Sequence, residues 1–71
     1  MQPGISTIID AVILNEEITS NVQLKTLDAL WSILADKDKP ELEKYLGTQT
    51  KTKSTSVNQL AENALNWLKQ K

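Results

Sequence analysis

The segment from Val22 to Asp36 reads VQLKTLDALWSILAD and is the longest run of the chain with a clear helical period. Its only polar stripe at helical spacing is made of Lys25, Asp28, Ser32 and Asp36. Leucine, isoleucine and tryptophan cover most of the remaining circumference. An ordinary surface helix has an apolar stripe a little over 100° wide. The broader apolar surface here predicts a helix that is contacted on several sides.

The segments on both sides of this helix predict three more. From Ile5 to Ile13, five isoleucine and valine side chains lie within an arc of about 140° at 100° per residue. Their β-branched character favours a strand weakly, but strict alternation is absent and Asp10 would interrupt a buried strand. Pro40 suits the first turn of a short third helix. The segment 57–70 has the neatest amphipathic pattern, with an apolar face about 160° wide.

Several residues predict where the helices begin. Ser20 followed by Gln23 fits a capping box, and Asn21 is an equally good N-cap for the second helix. Ser56 with Gln59 fits a second capping box at the start of the last helix. These residues place the helix starts at about 21 and 57.

The third helix and the segment after it are separated by a glycine. Gly47 matches the left-handed residue that commonly ends a helix. The following segment, 48–56, reads TQTKTKSTS and contains no apolar residue. It is longer than the usual connection of about 4 to 6 residues, so we expect a mobile polar loop.

Together these patterns predict one all-α domain spanning residues 1–71. Four helices are expected, in an orthogonal or bundle-like arrangement, at about 5–15, 21–36, 40–46 and 57–70. Because the second helix has the broadest apolar surface, we expect it in the middle, packed by the first and the fourth.

The size and composition of the chain limit its means of stabilisation. A domain of 71 residues buries only about 60% of the surface that its unfolded chain exposes. Chains of this size commonly add disulfides, a metal or a partner subunit. The absence of cysteine and histidine excludes disulfides and the usual zinc sites. Of these three means of stabilisation, only self-association or docking on a partner protein remains.

The same composition argues against catalysis. Histidine, cysteine and arginine are absent, so the commonest general base, the strongest nucleophile and the usual phosphate clamp are missing. The segment from Asp36 to Gly47 fails as a calcium loop, because Glu41 stands where the glycine is needed. We therefore expect no enzyme, no metal, no cofactor and no small-molecule substrate.

The expected function is protein binding by a small adaptor, assembly or regulatory module. The contact would use the surplus apolar surface of the second helix, either to form a homodimer or to dock on a larger protein. The candidate contact residues are Leu24, Leu27, Trp31 and Leu34, and the tryptophan is a natural interface anchor.

The alternative function is weak, sequence-independent nucleic-acid binding through the polar loop and the C-terminal lysines. Residues 47–71 have a net charge of +3, whereas residues 1–46 have a net charge of −4. The possible phosphate contacts are Lys51, Lys53, Lys69 and Lys71. The acidic balance of the whole chain disfavours this alternative. An equally supported interpretation is that the two oppositely charged halves face one another within the fold.

No targeting or membrane segment is evident in the sequence. The apolar stretch from Ile5 to Leu14 lacks a basic region before it and is interrupted by Asp10. No run approaches the roughly 18 apolar residues that a membrane span needs. We expect a cytoplasmic protein without a membrane partner.

Overall fold

The structure, a computed structural model, describes residues 3–70, and these residues form four helices and no strand. The first consists of α1 (Pro3–Ile8) and a π-helical turn (Ile9–Ile13) that continues it. The others are α2 (Ser20–Ile33), α3 (Lys39–Gln49) and α4 (Thr55–Lys69). The predicted all-α fold is confirmed, while several predicted helix boundaries are wrong.

The first helix begins earlier than predicted and ends in a widened turn. It starts at Pro3 instead of residue 5, in keeping with the preference of proline for a first helical turn. At its end the N–H of Leu14 donates to the carbonyl of Ile9 over 2.9 Å, a bond that spans five residues and defines a π turn. Ile9, Ile13 and Leu14 are all buried, so this turn directs three large side chains into the core.

The second helix is shorter than predicted at its C-terminal end. Its N-cap is Thr19, which makes no side-chain capping bond, so the predicted capping box of Ser20 and Gln23 is wrong. The side chain of Gln23 instead donates to the backbone carbonyl of Asn15 over 2.7 Å. The helix ends at Ile33, and Leu34 is extended. This change of direction places the Leu34 side chain in the core.

The third helix continues beyond Gly47, so the predicted glycine cap is wrong. It runs to Gln49, and no residue within the described range has a positive φ. The hydroxyl of Thr48 donates to the carbonyl of Tyr45 over 2.7 Å. The hydroxyl of Thr50 donates to the carbonyl of Gly47, also over 2.7 Å. Threonine hydroxyls thus bond to two carbonyls in the last turns of α3, which ends without a left-handed residue.

The connection to α4 is a short turn held by hydrogen bonds. The fourth helix begins at Thr55, and the hydroxyl of its N-cap, Ser54, accepts from the N–H of Val57 over 3.3 Å. The capping box predicted at Ser56 is therefore two residues too late. The backbone N–H of Thr52 donates to the Asn58 side-chain oxygen over 2.7 Å. These bonds tie the turn to α4, and the mobility of this segment stays a prediction.

The helix α2 packs against the π turn of the first helix and against α4, as predicted. The helix α4 also has several neighbours. It makes its most extensive contact with α3 and also packs against α2 and the π turn. Its buried side chains include Ala61 and Ala64, whose small size lets neighbouring helices approach closely. Around them lies one core, which comprises Ile9, Ile13, Leu14, Leu27, Leu30, Leu34, Leu42, Leu46, Ala61, Ala64 and Leu68.

One side-chain hydrogen bond connects α3 to the π turn. The hydroxyl of Tyr45 donates to Oδ1 of Asp10 over 2.6 Å, between residues 35 positions apart. Burial, this hydrogen bond and the negative charge of Asp10 raise the pKa of Tyr45 to about 12. The hydroxyl in the folded protein is thus largely protonated at a pH where an ordinary tyrosine ionises.

Candidate functional site

A groove of about 280 Å³ lies between α2 and α4. On each of the two helices the lining residues are spaced about one turn apart, so their side chains project from the same face of that helix. The α2 residues are Ser20, Gln23, Leu24 and Leu27, and the π turn adds Ile13. The α4 side comprises Leu60, Asn63, Ala64, Asn66, Trp67 and Gln70.

The floor of the groove is apolar and belongs partly to the core. Leu27 and Ala64 are buried, whereas Leu24, Leu60 and Trp67 are partly exposed. Leu60 and Trp67 pack against the core from the α4 side. The groove is therefore a surface with apolar side chains that the fold itself leaves half covered.

The rim of the groove is polar but uncharged. Its polar side chains are one serine hydroxyl and four amides, contributed by Ser20, Gln23, Asn63, Asn66 and Gln70. Among residues 3–70, no lysine, aspartate or glutamate lines the groove, although charged residues make up 24% of the chain. Each amide offers both a donor and an acceptor, so the rim suits an occupant with neutral hydrogen-bonding groups.

Gln23 is the one buried polar side chain among residues 3–70, with 6% of its surface exposed. Its Nε2 donates to the carbonyl of Asn15, and because a carbonyl can only accept, this bond fixes which end of the amide is nitrogen. No hydrogen bond from residues 3–70 to Oε1 is present. Because no buried side-chain nitrogen or oxygen among these residues lacks a hydrogen-bond partner, that oxygen is in contact with solvent.

A second cavity of similar size, about 280 Å³, lies at the opposite end of α2. It is lined by Ile5, Ile33, Leu34, Ala35 and Asp38. No amide side chain from the described part of the chain lines this cavity, and Asp38 contributes a carboxylate at its edge. Ile33 is 76% exposed, so it lies outside the core although the helical pattern placed it on the apolar arc.

The structure does not bring the four predicted contact residues together on one surface. Leu24 and Leu27 line the groove, although Leu27 is fully buried and forms its base. Leu34 is buried near the second cavity. Trp31 is half-buried, and the Lys39 ammonium nitrogen lies 5.5 Å from its ring centroid, a distance that allows a cation–π interaction.

The α4 side of the groove was not among the predicted contact residues. One signal for it is present in the sequence, because Asn63, Asn66 and Gln70 recur at positions i, i+3 and i+7. This spacing places three amides along one edge of the apolar face of α4. The sequence shows this uncharged edge, whereas its position opposite α2 depends on tertiary packing.

The lysines proposed for phosphate contacts lie at two ends of the molecule. Lys51 and Lys53 are exposed in the turn before α4, and Lys69 is exposed in its last turn. A helix of 15 residues separates these ends by about 22 Å. Lys71 lies outside the described residues. Nucleic-acid binding stays a prediction, which a salt-dependent affinity, lowered by changing Lys51 and Lys53 to glutamate, would support.

Two further features bear on the kind of site present. Among residues 3–70, no group of three or more aspartate or glutamate side chains is arranged to hold a metal ion. None of the helices in that range is long and apolar enough to span a membrane.

Comparisons of this chain with protein-family models, with curated proteins and with solved structures find no match.

Proposed function

We propose that this protein is a non-catalytic interaction module that binds a segment of another protein in the groove between α2 and α4. The observation that carries the proposal is the combination of a half-covered apolar floor with a rim of amides and one hydroxyl, in which no residue of the described range 3–70 is charged. A concave apolar site with a few converging polar groups is the usual form of a binding site.

The size of the groove favours a protein segment over a cofactor or a small-molecule substrate. Its volume of about 280 Å³ is below the roughly 300–1,000 Å³ typical of small-molecule sites. Such a space holds one or two apolar side chains while the rest of the partner stays outside. The contact would be smaller than a standard interface of about 800 Å² per partner, which suits reversible docking.

The shape of the groove favours a different protein over a second copy of this chain. A two-fold dimer places the same surface of both copies face to face. Two concave grooves facing each other would leave both unfilled. A homodimer through this groove is therefore the less suitable arrangement.

Site-specific photo-crosslinking in the native cell tests this proposal. The crosslinking residue p-benzoylphenylalanine replaces Leu24 in the groove or, as the matched control, the exposed Ile33 outside it. We expect a light-dependent adduct with another protein from position 24 and none from position 33. No adduct from position 24, an equal adduct from position 33, or an adduct only with a second copy would overturn the proposal.

A change of charge at the rim provides a second test with its own control. Asn66→Asp introduces a negative charge beside the groove, whereas Ser56→Asp introduces the same charge at an exposed position of α4 outside it. Because the rim is uncharged, we expect the first substitution to weaken the position-24 adduct and the second to leave it unchanged. Equal effects of both would contradict the assignment of the site.

A further inference from the structure

We infer that the second cavity is the contact surface of a homodimer, in which Ile33 of each copy enters the cavity of the other. This contact goes beyond the proposed function and is separate from the groove, because no described residue lines both. Two observations carry the inference: an exposed isoleucine beside an open cavity, and two opposite charges at the edge of that cavity that the fold leaves unpaired.

The shape of this surface is complementary to itself. Ile33 is 76% exposed and lies on the wall of the cavity. The chain turns inward directly after it, since Leu34 is extended and buried. The next residue, Ala35, is too small to fill the space beside Ile5, and a cavity of about 280 Å³ is left there. A protruding side chain and a depression thus lie side by side.

A second copy suits this surface better than an unrelated segment does. A two-fold axis brings the same surface of both copies face to face. Because the protrusion and the depression are neighbours, one rotation places each isoleucine in the opposite cavity. In contrast, none of the large apolar side chains that are strongly exposed within residues 3–70 lines the groove between α2 and α4. The two surfaces therefore suit different partners.

The charges at the edge of the cavity also favour a second copy. In the DKDK sequence that leads into α3, Asp36 and Lys39 pair with each other over 3.2 Å. Lys37 is exposed, and no ion pair from the described part of the chain engages it or Asp38. Across a two-fold axis, Lys37 of one copy can pair with Asp38 of the other, twice in each dimer. An acidic or a basic partner would match only one of the two signs.

The small size of the contact surface predicts a weak dimer that depends on concentration. Five residues line the cavity, whereas a standard interface has about 20–30 residues on each side. A chain of 71 residues without cysteine gains stability from even a weak partner. Because the groove lies at the other end of α2, the dimer leaves both grooves open and presents two binding sites.

Sedimentation equilibrium of the full chain tests the inference, from about 10 μM to about 1 mM. We expect the average mass to rise from that of one chain towards that of two. Ile33→Ser shortens the protruding side chain, and Val22→Ser, at an exposed position of the same helix, is the matched control. Burying one isoleucine raises affinity at least about tenfold and the dimer buries two, so Ile33→Ser should raise the dimer dissociation constant about a hundredfold. Val22→Ser should leave it unchanged.

Charge exchange and crosslinking provide two independent tests. Lys37→Glu should weaken the dimer, because it places two carboxylates together at each contact, and the added change Asp38→Lys should restore it. Circular dichroism checks that each variant is folded. With p-benzoylphenylalanine at position 33, we expect an adduct between two copies of this chain and none with another protein. Since the comparison of positions 24 and 33 concerns adducts with other proteins, this self-adduct leaves that comparison intact.

Four results would overturn the inference. A monomer over the whole concentration range would contradict it, as would equal effects of Ile33→Ser and Val22→Ser. A folded double variant, Lys37→Glu with Asp38→Lys, that fails to restore the dimer would also contradict it. These three results leave the proposed groove untouched, because the adduct from position 24 tests the groove separately. An adduct from position 33 with a different protein would instead assign the cavity to that protein.

Discussion

Nε2 of Gln23 lies 2.7 Å from the backbone oxygen of Asn15, and this bond joins the first turn of α2 to the segment that follows the π turn. The same carbonyl also accepts from the N–H of Ile18 over 3.1 Å, so the Gln23 bond adds a second hydrogen bond where the chain leaves the first helix, and it orients the Gln23 amide. The same side chain therefore contributes a hydrogen bond to the fold and lines the proposed binding groove.

Replacing Gln23 should reduce stability. Gln23→Met keeps the length of the side chain but removes the donor to Asn15, and we expect a loss of about 1 kcal/mol in the free energy of unfolding. Chemical denaturation followed by circular dichroism measures it. Gln59→Met, at an exposed position of α4, is the matched control. An unchanged stability in Gln23→Met would show that the bond contributes nothing.

The bond between Tyr45 and Asp10 predicts a loss of stability in strong base. The pKa of Tyr45 is raised to about 12 from its ordinary value of 10.0, so the folded state favours the protonated hydroxyl. This stabilisation is complete below about pH 10 and disappears as the pH rises towards 12. Tyr45→Phe has no hydroxyl to titrate, so its stability should fall less over the same interval. If the free energy of unfolding of the unmodified protein and of Tyr45→Phe falls equally over this pH interval, the prediction is wrong.

The start of α4 provides a paired test of capping. Ser54→Ala removes the oxygen that accepts from Val57, and we expect it to cost about 1 kcal/mol. Ser56→Ala, two residues later, lies inside the helix and should be nearly neutral. Urea denaturation of both variants compares them. A larger loss for Ser56→Ala would support the capping box that the sequence indicates.

The turn before α4 should be more ordered than its composition suggests. Thr52 makes hydrogen bonds through both its backbone and its hydroxyl to Asn58. We therefore expect backbone order parameters at residues 50–54 close to the rigid value of about 0.85. Asn58→Ala should lower them while leaving α2 unaffected. Order parameters below about 0.6 in the unmodified protein would instead support a mobile loop.

The fold class was predictable because periodicity is a local property of the sequence. The apolar face of α4 and the polar stripe of α2 lie where helical spacing places them. The ends of the helices were less predictable, since they depend on side-chain bonds that compete with one another. Threonine hydroxyls around Gly47 allow α3 to continue, and Gln23 bonds to Asn15 in place of its own helix end.

The candidate site was predictable only in part, for a physical reason. The pattern identified Leu24 and Leu27 on α2 but also included Trp31 and Leu34, because it cannot show how neighbouring helices cover an apolar arc. Leu34 leaves the helix and enters the core. The opposite wall of the groove comes from α4, and only the tertiary packing places the two helices side by side.

The indole N–H resonances of Trp31 and Trp67 test the central claim most directly. Trp67 lines the groove, whereas Trp31 lies beside Lys39 outside it. Titration with capped pentapeptides of sequence Gly-Ser-X-Ser-Gly, in which X is leucine, isoleucine, methionine, phenylalanine or tryptophan, should shift the Trp67 signal with saturation and leave the Trp31 signal in place. A shift at Trp31 alone, or at neither indole with any of these peptides, would contradict binding in the groove between α2 and α4.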